Sequence, residues 1–105
     1  MLNAVIHPLP RFKICAVLSA YGAVEWETKP RQEMRFSALA EETGLKAPAL
    51  SKQLSALEEA GFVTRFREYG STRAKDTVWV MLTEQGKKAF DAHLAALQSM
   101  SEPGQ

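Results

Sequence analysis

Helical and strand-like hydrophobic patterns succeed one another along this chain, and their order predicts its architecture. Residues 1–9 are mainly apolar, and His7-Pro8-Leu9-Pro10 holds the backbone extended. Ile14, Val17, Leu18 and Tyr21 then recur at helical spacing, which predicts a helix over about residues 10–21 stopped by Gly22. Residues 22–33, GAVEWETKPRQE, are polar, mixed in charge and broken by Pro30; they read as a loop, long for a compact domain. Met34-Arg35-Phe36 fits a very short strand. Ser37 stands where an N-cap belongs, ahead of a two-turn helix with Leu39 and Ala40 inward and Gly44 as its stop. Pro48 suits the first turn of the next helix, residues 48–60, whose leucines Leu50, Leu54 and Leu57 form one row before Gly61.

After Gly61 the period changes. FVTRFR and DTVWVML are rich in β-branched and aromatic residues and flank EYGSTRAK, so a hairpin is expected, with residues 66–76 as its projecting part. Val78, Val80 and Leu82 share one face of its second strand. Thr83 fits the cap of a last helix striped by Phe90, Leu94, Leu97 and Met100, and residues 101–105 read as a frayed tail. The predicted fold class is mostly α with a small β-hairpin, in one domain over residues 1–100. Its order is helix, short strand, helix, turn, helix, two-stranded wing and C-terminal helix. Two short helices joined by a glycine turn and followed at once by a hairpin make a helix-turn-helix with a wing.

Composition narrows the class without naming a ligand. The 105 residues are 46% hydrophobic and 24% charged, enough for one core without disulfides or metals. The formal charge of +1 announces no nucleic-acid binder, so any electrostatic attraction must come from where the charges sit. Cys15, the one cysteine, lies in an apolar helical run and reads as a small buried hydrophobe. No apolar stretch is long enough to span a bilayer and no signal-peptide pattern opens the chain, so a cytoplasmic location is expected.

The run from Phe36 to Phe90 resembles the winged helix-turn-helix regulators of the MarR/ArsR type, small compact winged-helix DNA-binding proteins. The resemblance rests on Leu50-Ser51-x-x-Leu54-x-x-Leu57-Glu58-x-Ala60-Gly61-Phe62-Val63, then a basic hairpin, then Leu82-Thr83-x-x-Gly86, and it extends over residues 4–97. The loop at 22–33 is longer than the family pattern. The resemblance implies a transcriptional regulator, usually a repressor, that binds duplex DNA as a homodimer. The helix 48–60 would then lie in the major groove. Opposite its leucine row stands Lys52, with Pro48, Ala49, Ser55 and Ala56 alongside and Ser51 and Gln53 on the flanks. Small residues admit close approach, Gln53 suits adenine, and Lys52 suits guanine or phosphate. Ser51 resembles the family serine that steadies the DNA backbone. Lys46 in the preceding turn and Ser37 at the preceding helix start complete the helical contacts. In the wing, Arg67, Arg73 and Lys75 are the expected contacts with the minor groove or backbone, Arg73 nearest the tip. Arg65 and Arg67 compete for a second role, pairing with an acid at the hairpin base.

A two-fold dimer is expected from the first and last helices, through Leu2, Val5, Ile6, Leu9, Phe90, His93, Leu94, Leu97 and Met100. Its operator would be an inverted repeat with half-sites about one DNA turn apart. No cofactor is expected. Asp91-Ala92-His93 resembles half of a metal-sensor site of ArsR-type relatives, but the other half does not follow, and two histidines and one cysteine far apart make no site. With no phosphate loop, paired carboxylates or nucleophile beside a base, the sequence does not describe an enzyme. Two other readings remain: a winged-helix protein-interaction module without DNA binding, suggested by the near-neutral charge and Glu58-Glu59, and a regulator answering a small-molecule effector, for which Trp26 and the long loop are the candidate lining.

Overall fold

The computed structural model describes residues 2–29, 32–71 and 75–101. Helix α1 runs Leu9–Tyr21, with a proline in its first turn and Gly22 closing it at φ 82°, a left-handed conformation that a β-carbon disfavours. Two residues later Val24–Glu25 form strand β1, and Met34–Arg35 form β2. Helices α2 (Phe36–Thr43) and α3 (Ala47–Glu59) follow, separated by Gly44 and a short turn. Strands β3 (Val63–Glu68) and β4 (Thr77–Thr83) make the hairpin, and α4 spans Glu84–Ser101. The predicted succession of elements is therefore the one observed, with one addition. The segment taken as loop contains β1, which pairs in parallel with β4 through Val24 opposite Leu82 and Glu25 opposite Thr83.

Strand β4 organises the sheet. Strand β3 runs antiparallel beside it from Val63 opposite Leu82 to Glu68 opposite Thr77. Its other edge is shared by β2, with Met34 opposite Val80, and by β1 further along. Val80 and Leu82 face the helices as the alternation predicted, but Met81 between them is also only 1% exposed, so this strand is covered on both faces. The core is formed by Ile14 and Leu18 of α1, Leu39 of α2, Leu50, Leu54 and Leu57 of α3, and Val63, Val80 and Leu82 of the sheet. Burial of the leucine row of α3 is what fixes its orientation. Truncating one such leucine to alanine costs about 2–5 kcal/mol in comparable cores.

Two local details place the last helix. The Thr83 hydroxyl accepts from Gly86 N–H at 2.9 Å and donates to the Gly61 carbonyl at 2.7 Å, so the expected cap also ties α4 to the end of α3. Gly86 packs directly on the Phe62 backbone, where any β-carbon would overlap the carbonyl. Ser37, in contrast, is not a cap. The chain passes from β2 into α2 without a loop, half-buried Phe36 becomes the first helical residue, and Arg35 takes the cap position with no side-chain bond to the helix. Residues 102–105, the expected tail, lie outside the described residues.

Candidate nucleic-acid interface

The exposed side of α3 follows from its buried one. Because Leu50, Leu54 and Leu57 are fully buried, Pro48, Ala49, Lys52 and Ser55 are turned to solvent, and Lys46 at the helix cap is exposed as well. Ser51 and Gln53 occupy the flanks and are half-buried, each held by an arginine from another element.

On the wing side that arginine is Arg65 of β3. It donates to Ser51 Oγ at 2.9 Å, to Ser55 Oγ at 3.1 Å and to Glu58 Oε1 at 2.6 Å. Ser55 in turn donates to the Ser51 carbonyl at 3.0 Å. One guanidinium thus spans two turns of α3 and pins it to the hairpin, using its planar fork of donors. It also neutralises Glu58, one of the two acids that favour the reading without DNA binding. Of the two arginines on β3, Arg65 is the one with the firm acidic partner. Arg67 reaches Asp76 only at 3.9 Å, with both side chains largely exposed, so its charge remains directed to solvent.

On the opposite flank, Arg11 of α1 donates through Nε to Gln53 Oε1 at 2.9 Å and through a terminal nitrogen to the Val5 carbonyl at 3.2 Å. Gln53 therefore begins with one of its oxygen's two acceptor positions occupied, which leaves its amide hydrogens and one lone pair for a further partner.

A concave surface lies between the helix starts and the wing. Its larger part, a cleft of about 650 Å³, is lined by Phe36, Ala47, Pro48 and Ser51 on one side and by Arg65, Phe66, Arg67 and Val78 on the other. It continues into a smaller groove lined by Arg35, Ser37, Lys75, Asp76 and Thr77, sharing Phe36 and Val78 with the first. Both α2 and α3 open toward it on a basic cap residue, Arg35 and Lys46, with no side-chain cap bond and no acid in the first turn. Neither cap residue's side chain bonds to its helix, so the positive ends of both helix dipoles face this concave surface, whose lining also includes the acid Asp76. Arg35 is also stacked on Trp79, 5.4 Å from the ring centre, which fixes its position beside the groove. Arg73 lies outside the described residues.

Residues 11–101 match the family of winged helix DNA-binding domains. The chain belongs to that family. No curated protein matches it. Among solved structures, the transcriptional regulator PA4135 is similar at 23% identity and a TM-score of 0.66, over 87% of this chain and 57% of that one. A MarR-family transcriptional regulator from Silicibacter pomeroyi is 21% identical, with a TM-score of 0.60 over 97% of this chain and 62% of its own. NadR, solved in complex with 4-hydroxyphenylacetate, is 21% identical, with a TM-score of 0.57 over 93% and 68%. At these identities the likeness is one of fold, and this winged helix spans about three-fifths of the length of the first two. The family is one of DNA-binding domains, and α2 and α3 with the hairpin that follows them form its winged helix-turn-helix unit.

Part of the site was hidden in the sequence of this winged helix. Arg35 was read only as a strand residue, although a cation directly before a helix start was the available signal. Arg11 gave no signal at all, because its partner Gln53 lies 42 residues away. Three residues expected at a dimer interface are instead internal: Ile6 is fully buried, and Phe90 and His93 are 4% and 1% exposed within the single chain. The correction has a simple cause. The N-terminal segment folds back on α4, so these side chains fill the space between it, α1 and α4. Leu2, Val5, Leu94 and Leu97 remain half-buried, and Leu9 and Met100 are exposed. Among the described residues no cluster of metal-ligating side chains is present, and no helix is long and apolar enough to cross a membrane.

Proposed function

We propose that this winged helix is a sequence-specific transcriptional regulator that binds duplex DNA as a homodimer and acts most simply as a repressor by occluding its operator. The observation that carries the reading is the paired helix starts: two uncapped, acid-free N-termini headed by Arg35 and Lys46 open onto a groove edged by Arg67 and Lys75. Phosphate is the ligand that uses such amides, dipoles and cations together. Pro48, Ala49, Lys52 and Ser55 would then meet the major groove, and the wing with Lys75 and Arg73 the minor groove or backbone. Ser51, Gln53 and Ser37 contribute from the edges of that surface. The wide exposure of Leu9 and Met100 supports dimerisation through the terminal helices. A cytoplasmic location goes with a chromosomal target. NadR is solved with 4-hydroxyphenylacetate bound, and for a small-molecule effector of this chain the half-buried Trp26 beside the core is the candidate contact.

A salt titration with random duplex tests the reading directly. Affinity is expected to fall steeply with salt as counterions are recaptured. Lys52→Ala is expected to lose about 1–3 kcal/mol on a selected site if it contacts a base, and to lose affinity uniformly across sequences if it contacts phosphate. A protein that binds no duplex at low salt is the protein-interaction module instead.

A further inference from the structure

The N-terminal segment forms a connection between α4 and α3, the proposed DNA-recognition helix. Asn3 donates its backbone N–H to His93 Nδ1 at 2.8 Å, across 90 residues of sequence. The same residue folds residues 3–7 into a turn: its side-chain oxygen accepts from Val5 and Ile6 N–H, and its carbonyl accepts from His7 N–H. The Val5 carbonyl at the centre of that turn accepts from Arg11, which holds Gln53 of α3 with its other nitrogen. Position is thereby relayed from His93 to Asn3, Val5, Arg11 and Gln53.

The chemistry of His93 makes the relay conditional. As an acceptor at Nδ1 it must be neutral, with its proton on Nε2. Nε2 is buried and its N–H has no hydrogen-bond acceptor among the described residues, so no bond at that nitrogen stabilises the charged ring that a second proton, on Nδ1, would make. Adding one would set two N–H groups against each other over 2.8 Å, and one must move. The groups around it reinforce this. The N-terminal segment brings His7, ring to ring at 5.6 Å, and α1 brings uncharged Phe12 at 5.8 Å. On α4 itself the nearest charges in sequence are Lys87 and Asp91, which pair with each other, and Lys88, which lies toward Glu84. Burial first, then the positive charges of His7 and of the N-terminal amino group, hold the imidazole below its ordinary value of 6.5.

We infer that His93 is a proton-operated latch: its protonation expels the Asn3 turn from α4 and, through Arg11, loosens Gln53 and the recognition helix. The inference rests on the DNA-binding reading for its consequence, not for its motion. The folded state favours neutral His93, so the latch is closed at pH 6.5 and opens only as the pH falls through the lower value that the imidazole takes in the fold.

The test is an NMR titration of the full chain without DNA, from about pH 8 to about pH 5, with duplex affinity measured alongside on a site selected from a random pool. The Asn3 amide and the Gln53 side-chain amide are expected to shift with one shared midpoint. In His93→Asn, whose side-chain oxygen accepts without titrating, neither moves over that range. In Arg11→Met the Asn3 amide still titrates and Gln53 no longer follows. Duplex affinity is expected to fall about tenfold more in the wild type than in His93→Asn. Separate midpoints for Asn3 and Gln53 in the wild type, or none, overturn the latch even should His93→Asn fail to fold. An identical pH dependence of affinity in the wild type and His93→Asn overturns its role in regulation. Absence of duplex binding at every pH removes the DNA reading and leaves the resonances to decide the latch.

Discussion

Single side chains in this protein change meaning with their surroundings, and Cys15 is the simplest case. It is fully buried in α1, and burial pushes its thiol up to about 12. The thiolate is the reactive form, so the native thiol is inert at neutral pH. Labelling by a disulfide reagent should proceed only at the rate of unfolding and should hardly accelerate between about pH 7 and pH 9. Rapid stoichiometric labelling of the folded protein would contradict that burial. Gln53 and Ser51 make the same point for polar groups. Both fit base or phosphate contact by position on α3, yet each already has a firm arginine partner within the fold.

At the scale of elements, α3 is held from both sides, by Arg65 of the wing and Arg11 of α1. The Arg65 pin is partly solvent-screened, since its side chain is 21% and that of Glu58 33% exposed. Arg65→Ala should therefore cost on the order of 1 kcal/mol of stability in urea unfolding, well below the loss from truncating a core leucine. Amide exchange in the second half of α3 should rise with it, while α4, held by Thr83 and Gly86, stays protected. Unchanged exchange in α3 would mean that the leucine row alone positions the helix.

For the whole molecule the decisive question is assembly. Leu9 and Met100 are 62% and 71% exposed, at the start of α1 and the end of α4. Large apolar side chains left open at the terminal helices call for a partner surface, and a two-fold copy supplies one. Sedimentation at roughly tens of micromolar should show a dimer, and Leu9→Glu combined with Met100→Glu should give a monomer with unchanged circular dichroism. A wild-type monomer at that concentration would remove the two-fold operator from the proposal.

What the sequence determined by itself was everything written in local pattern. The helical spacing of the leucines, the glycine stops at Gly22, Gly44 and Gly61, the Thr83 cap and the alternating wing strands each depend on neighbours a few residues away. They were legible for that reason, as was the basic hairpin. Tertiary structure decided the rest. Two residues such as Val24 and Glu25 are a strand only because β4 offers them an edge. Ser37 lost the cap because β2 runs straight into α2. Ile6, Phe90 and His93 left the expected interface because the N-terminal segment folded over them. The partners that assign Gln53, Ser51 and His93 lie 42, 14 and 90 residues away, and only packing of the whole chain brings them together.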